Sequence, residues 1–154
     1  MKVYLVRHGK ANPAEIDPAK GLSDEGKADI IRLAESIKHL DIRVKEIIHS
    51  GKARAEQTAM LIASAIHSAN DMKAKSGMKP DDPVERIGVE ITTQGDDLML
   101  VGHLPFMAKL SSYLLTGNPE RCHLEFAAGG MACLEYDKGQ WSLEWFISPE
   151  MLGK

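Results

Sequence analysis

The stretch Lys2-Val3-Tyr4-Leu5-Val6-Arg7-His8-Gly9 carries four consecutive apolar residues after Lys2 and closes on an arginine, a histidine and a glycine. An apolar run that does not alternate belongs to a strand covered on both faces, the mark of a parallel sheet between helices. Leu98-Met99-Leu100-Val101-Gly102-His103-Leu104-Pro105 repeats the pattern: a short apolar strand, then a glycine and a histidine. Between them, Ser50-Gly51-Lys52-Ala53-Arg54-Ala55-Glu56-Gln57-Thr58-Ala59 reads as a turn opening a helix, with Arg54 in its first turn. If strands 2–7 and 98–102 are parallel neighbours, both histidines and both arginines meet at one edge of the sheet.

Strand and helix signals alternate along the rest of the chain, which predicts an α/β fold. Ser23 reads as an N-cap followed by Asp24 and Glu25, and Ile30, Leu33, Ala34 and Ile37 share one face of the helix it opens. Residues 44–49 form a second strand, and the helix after Ser50 is expected to run to about Ala69. Residues 70–83 read as a loop with one short edge strand, followed by a weak helix from Pro83 through Ile91. Pro105 suits the first turn of a further helix, which Gly117-Asn118-Pro119 ends. Segments 121–127, 131–136 and 141–147 read as three strands joined by tight turns, so an antiparallel extension is expected at one side of the sheet.

A chain of 154 residues with net charge -3 fits one soluble domain and lacks the basic balance of a general nucleic-acid binder. No stretch is long and apolar enough for a signal peptide or a membrane span, so the expected setting is the cytoplasm. No extra helix or hydrophobic strip demands a dimer, so the expected state is a monomer. Cys122 and Cys133 are too few for a disulfide framework and read as small buried hydrophobes.

Ligands of open parallel sheets bind beyond the carboxyl ends of the strands, where His8 and His103 both fall. Arginine offers a planar fork of donors suited to phosphate oxygens, so Arg7 and Arg54 are candidates to hold a phosphoryl dianion. The free N–H groups of the helix start add to such a site. Gly9 and Gly102 allow a ligand close to the backbone, and Gly9 is counted among the phosphate-binding residues. Neutral imidazole attacks phosphorus, and flanking arginines disfavour protonation of His8, so His8 is the candidate nucleophile. His103, if protonated, would donate a charge-assisted hydrogen bond to the phosphoryl group. A metal on the two histidines would need a third ligand and would be repelled by the arginines, so no metal or other cofactor is expected. His39, His49, His67 and His123 share no spacing and read as structural or solvated.

These segments, with Leu22-Ser23-Asp24-Glu25-Gly26, resemble the histidine phosphatase superfamily of the phosphoglycerate-mutase-like fold. The compact size and the Gly-His-Leu-Pro wording are most similar to its SixA-type phosphohistidine phosphatases. The resemblance implies a single domain over 1–154, a three-layer α/β/α architecture with a mostly parallel sheet, and no metal requirement. It also implies transient phosphorylation of His8, with Arg7, Arg54 and His103 binding the phosphoryl group.

Two positions depart from the pattern. The family often has Ser-Pro where this chain has Ser50-Gly51. Many members also place a carboxylate over the phosphate to protonate the leaving oxygen; Asp81, Asp82, Glu85, Glu15 and Asp17 are the candidates here, and each reads equally as a loop charge or cap. An alkoxide leaving group needs that acid, whose help is commonly worth about 10²–10⁴-fold. Imidazole, with a conjugate acid of pKa about 6.5, leaves without it. The expected activity is hydrolysis through a phosphohistidine on His8, with phosphohistidine on a protein as the favoured substrate. A broad phosphomonoesterase for small metabolites is the alternative. A module that binds phosphoproteins without hydrolysis would have no use for a nucleophile.

Overall fold

The computed structural model describes residues 1–153. In chain order its elements are β1 (Lys2–Arg7), α1 (Asp24–Ile37), β2 (Arg43–Val44), β3 (Glu46–His49), α2 (Ala53–Ala63), β4 (His67–Ser68), β5 (Lys73–Ala74), α3 (Glu85–Gln94), β6 (Leu98–Gly102), α4 (Phe106–Thr116), β7 (Met131–Asp137) and β8 (Gln140–Ile147). The main sheet has the order β5-β3-β6-β1-β7-β8. Its first four strands are parallel and its last two antiparallel, as the alternation and the hairpin turns predict.

Successive side chains of β1 divide the core. Tyr4 and Val6 join α1 and α2 on one face, while Val3 and Leu5 join α3 and α4 on the other. The result is three layers. Ser23 caps α1, accepting the Gly26 N–H at 3.0 Å, and both its own N–H and its hydroxyl donate to the Lys10 carbonyl. That double bond fastens the segment just beyond His8 to the start of α1. Among the described residues no helix is long and apolar enough to cross a membrane. Both cysteines are free; Cys133 is buried in β7 and Cys122 is half-buried.

Three expectations are corrected. Helix α2 stops at Ala63 instead of about Ala69, because His67, Ala69 and Asn70 give their N–H groups to the carbonyls of Ile42, Val44 and Lys45. This forms a two-stranded sheet of β2 and β4, yet Ile66 still enters the same core. The helix expected from Pro83 through Ile91 runs from Glu85 to Gln94; its interior Gly88 faces the Tyr113 ring of α4, which occupies the space a side chain would need. Segment 121–127 is not a strand. Its backbone is taken up elsewhere: the Ser112 hydroxyl on α4 donates to the Asn118 carbonyl and accepts the N–H groups of Arg121 and Cys122. Only Phe126 is drawn fully inside.

A Cβ at Gly26 would lie 2.1 Å from the Lys10 carbonyl oxygen, so any side chain there must push the loop off the helix. Gly26→Ala is therefore expected to cost about 1–3 kcal/mol, the range for inserting a methyl into filled space. Thermal unfolding, at about 2–4 °C per kcal/mol for a chain of this size, gives the readout. An unchanged midpoint would show that the loop is not held as described.

Candidate active site

Register decides the site. β1 pairs with β6 so that Arg7 faces Gly102, and β3 pairs with β6 so that His49 faces Val101. The first residues beyond the three strands, His8, His103 and Ser50, therefore emerge side by side on the same rim. A main-chain bond from His8 N–H to the Gly102 carbonyl, 2.9 Å, extends the β1–β6 ladder into the site. The two imidazole rings stand with centroids 5.0 Å apart, tilted by 53°.

His8 is held in one tautomer. Its Nδ1 lies 2.7 Å from the Gly9 carbonyl oxygen, which can only accept, so Nδ1 carries the proton and the lone pair sits on Nε2. Both polar backbone groups of Gly9 are engaged within the protein, since its N–H donates to the Thr58 hydroxyl at 3.1 Å. Gly9, expected as a phosphate ligand, thus has its N–H taken by Thr58 and its carbonyl by the His8 ring in this structure. Thr58 in turn donates to the Arg54 carbonyl at 2.8 Å, so one buried hydroxyl joins the loop of His8 to the first turn of α2.

Arg7 is anchored from the other side. One terminal nitrogen donates to the Phe126 carbonyl at 2.9 Å, while Nε is buried without a partner. The nearby glycine pair holds the strand end: Arg7 N–H donates to Gly130, and Gly129 N–H donates to the carbonyls of Arg7 and His8. Burial lowers the proton affinity of the Arg7 guanidinium.

The electrostatics keep both rings neutral. Burial, first, and the charges of Arg54 and Arg7 push His8 down to about 4, against an upward pull from the Gly9 carbonyl. Burial, then His8, Arg54 and Lys52 push His103 down to about 3. His103 is 1% exposed, and its charged form, which the charge-assisted bond would require, is disfavoured in the free protein. The charged side chains that bear on the two rings, Arg7, Arg54 and Lys52, are all basic. An anion is what such a pocket accommodates.

The candidate acids are committed to local structure or stand in solvent. Asp17 accepts the N–H groups of Ala19 and Gly21 in the loop after His8. Asp82 accepts the Lys79 N–H. Glu15, Asp81 and Glu85 are exposed. Among the described residues no group of three or more His, Cys, Asp and Glu side chains is placed to hold a metal ion. His49 is 3% exposed and its Nδ1 accepts the Gly51 N–H, whereas His39, His67 and His123 are exposed.

Ser50 and Thr58 join the site although the sequence motif alone assigns neither a task. A signal for Ser50 was present: like His8 and His103 it is the first residue after an apolar strand. Thr58 sits one helical turn beyond Arg54. The Phe126 carbonyl has no sequence signal at all, since a backbone oxygen is the same in every residue.

Gly51 shows what the Ser50-Gly51 departure does. Its φ is +93°, out of reach of proline, whose ring fixes φ near -65°. Gly51→Pro also removes the N–H that binds His49, so it should cost about 1–3 kcal/mol or more and lower turnover. A stable, fully active variant would contradict this turn. The depressed imidazoles give a second expectation. Unfolding releases both histidines to their ordinary value of 6.5, so the unfolded chain binds more protons and acid favours it. Their contribution to stability is complete above pH 6.5 and is lost on acidification, down to about 4 for His8 and about 3 for His103. Unfolding midpoints measured between pH 7 and pH 4 should fall less steeply in His103→Asn than in the parent.

No curated protein is similar enough in sequence to count as a match. Among solved structures, the protein histidine phosphatase SixA complexed with tungstate superposes with a TM-score of 0.86 at 23% identity, covering 99% of each chain. The putative phosphohistidine phosphatase SixA of Agrobacterium tumefaciens gives 0.76 at 25% identity, covering 96% of this chain and 97% of the other. A mutant phosphoserine phosphatase from Entamoeba histolytica, in complex with phosphoserine, gives 0.71 at 18% identity over 97% and 98%. Residues 3–79, which carry Arg7, His8, Ser50, Arg54 and Thr58, match the family described as the histidine phosphatase superfamily (branch 1). That match spans half the sequence, and the chain belongs to the histidine phosphatase superfamily.

Proposed function

We propose that the chain is a phosphatase that takes a phosphoryl group onto His8 Nε2 and then hydrolyses it, with phosphohistidine on a protein as the substrate. The carrying observation is the pairing of His8 Nδ1 with the Gly9 carbonyl, which leaves Nε2 as a fixed, unprotonated nucleophile among cations. In the first step Nε2 attacks phosphorus in line; the new P–N bond forms as the substrate's own P–N bond breaks, and the leaving imidazole takes its proton from solvent. In the second step water attacks phosphorus, phosphate leaves, and Nε2 recovers its lone pair. Arg7 and Arg54 neutralise charge on the three equatorial oxygens, and positioning with charge stabilisation supplies most of the rate.

The leaving group selects the substrate class. The charges bearing on the rings are basic, Asp17 and Asp82 are taken up as loop caps, and Glu15, Asp81 and Glu85 stand in solvent, which favours a leaving group that needs no acid. Imidazole needs no such help, and exchange of one P–N bond for another is nearly balanced. Both named SixA neighbours agree with this choice. The phosphoserine phosphatase among the neighbours favours a second reading, a phosphomonoesterase for small metabolites.

Four measurements test the proposal. A histidine-phosphorylated protein should turn over at least about 10²-fold faster, in kcat/KM, than phosphoserine or sugar phosphates, the low end of what a missing acid costs. Equal rates would favour the second reading. Rapid acid-free quenching and mass spectrometry should find phosphate on His8; label elsewhere, or none, would refute the nucleophile. His8→Ala should lose turnover by several orders of magnitude while its unfolding midpoint stays near the parent's. kcat/KM should be level between about pH 8 and 5 and fall near pH 4, as Nε2 takes a proton.

A further inference from the structure

Ser50 is the third residue on the rim to follow directly on a parallel strand, and no step above uses it. Its hydroxyl oxygen lies 2.6 Å from His103 Nε2 and accepts the Lys52 N–H at 3.4 Å. A serine hydroxyl has one proton to give. Lys52 takes one of the oxygen's two acceptor positions; for Nδ1 to donate to an anion the ring proton must sit there, and Nε2 is then the bare nitrogen that takes the hydroxyl proton. His103 Nδ1 is buried and has no partner within the protein, so its bond is the one the ring can still make. The turn that carries Ser50 is braced in its own right. Gly51 donates to Nδ1 of His49, a buried residue at the end of β3, and this contact exists because the residue after Ser50 has an N–H.

We infer that Ser50 is a positioning residue for His103: its hydroxyl, presented by the turn that His49 braces, fixes the ring tautomer so that Nδ1–H is the bond offered to a phosphoryl oxygen. This rests on the reading of His103 as a phosphoryl ligand. A neutral imidazole fixed in this way donates without first taking up a proton, which suits a ring that its surroundings keep uncharged. It also gives the family's serine, and the glycine that follows it here, a shared task.

The test separates this inference from the proposed reaction. In the free protein at pH 7, two-dimensional NMR of ¹⁵N-labelled histidine reads which ring nitrogen of His103 is protonated, with no turnover required. The parent should show a single Nδ1–H form. Ser50→Ala should show a mixture with Nε2–H, and Ser50→Thr, which keeps the hydroxyl, should restore the parent pattern. With phosphoramidate as donor, Ser50→Ala should lose about ten- to a hundredfold in kcat, the range for removing a partner that orients an imidazole, and Ser50→Thr should recover most of it. Orthovanadate should shift the Nδ1–H proton signal in the parent. An Nε2–H form in the parent would overturn the inference, and so would a Ser50→Ala protein with unchanged ring signals and unchanged kcat. A chain that hydrolyses no donor but shows the Nδ1–H form and its loss in Ser50→Ala would refute the reaction and leave the tautomer assignment standing.

Discussion

The parallel pairing of β6 with both β1 and β3 is the constraint on which the site depends. A parallel ladder has one relative offset, and the side chains beyond its end inherit that offset. Arg7 against Gly102 and His49 against Val101 place three chain ends at one level, although 95 residues separate His8 from His103 in the sequence. A slip of one residue in either pairing would turn one of those side chains to the opposite face of the sheet. The buried apolar side chains of β6, shared between the two cores, hold the offset against that slip.

Around that frame the protein concentrates positive charge and withholds protons. Two guanidiniums and a lysine act on two imidazoles, and burial makes protonation of either ring costly. Free of ligand, this is a stability cost concentrated at one end of the sheet. The cost is turned to use when an anion arrives, because the dianion then meets fixed donors that need little rearrangement. Local main-chain bonds do the fixing: Gly9 for His8, Phe126 for Arg7, and Thr58 between His8's loop and Arg54's helix.

Much of this was legible in the sequence, and for physical reasons. Apolar runs of four or five residues state that a strand is covered on both faces, so β1 and β6 could be read directly. Ser23 declared the start of α1 through its capping chemistry. Segment 121–127 misled because its alternation of polar and apolar residues is what a strand needs, yet strandhood requires a partner edge, and here the Ser112 hydroxyl takes up the N–H groups of Arg121 and Cys122 instead. The boundary of α2 failed for a related reason: the pairing of 67–68 with 43–44 is a long-range contact that no local propensity records. Within the site, residue types announced themselves while backbone acceptors did not. Gly9 could be read as a place of close approach, but whether its N–H faced a ligand or Thr58 depended on packing between two helices and a loop.

The wall carrying the Phe126 carbonyl is built unlike the others. Its start hangs from the hydroxyl of Ser112 rather than from a ladder, its end is pinned by the buried Phe126 ring against Phe146, and the Phe126 carbonyl holds Arg7. Segments of that kind can be lengthened, shortened or recoloured without disturbing the register that aligns the histidines. Diversification of substrate preference within this architecture has an open route there: sequence drift between α4 and β7 can reshape what enters while the chemistry at the rim stays as it is.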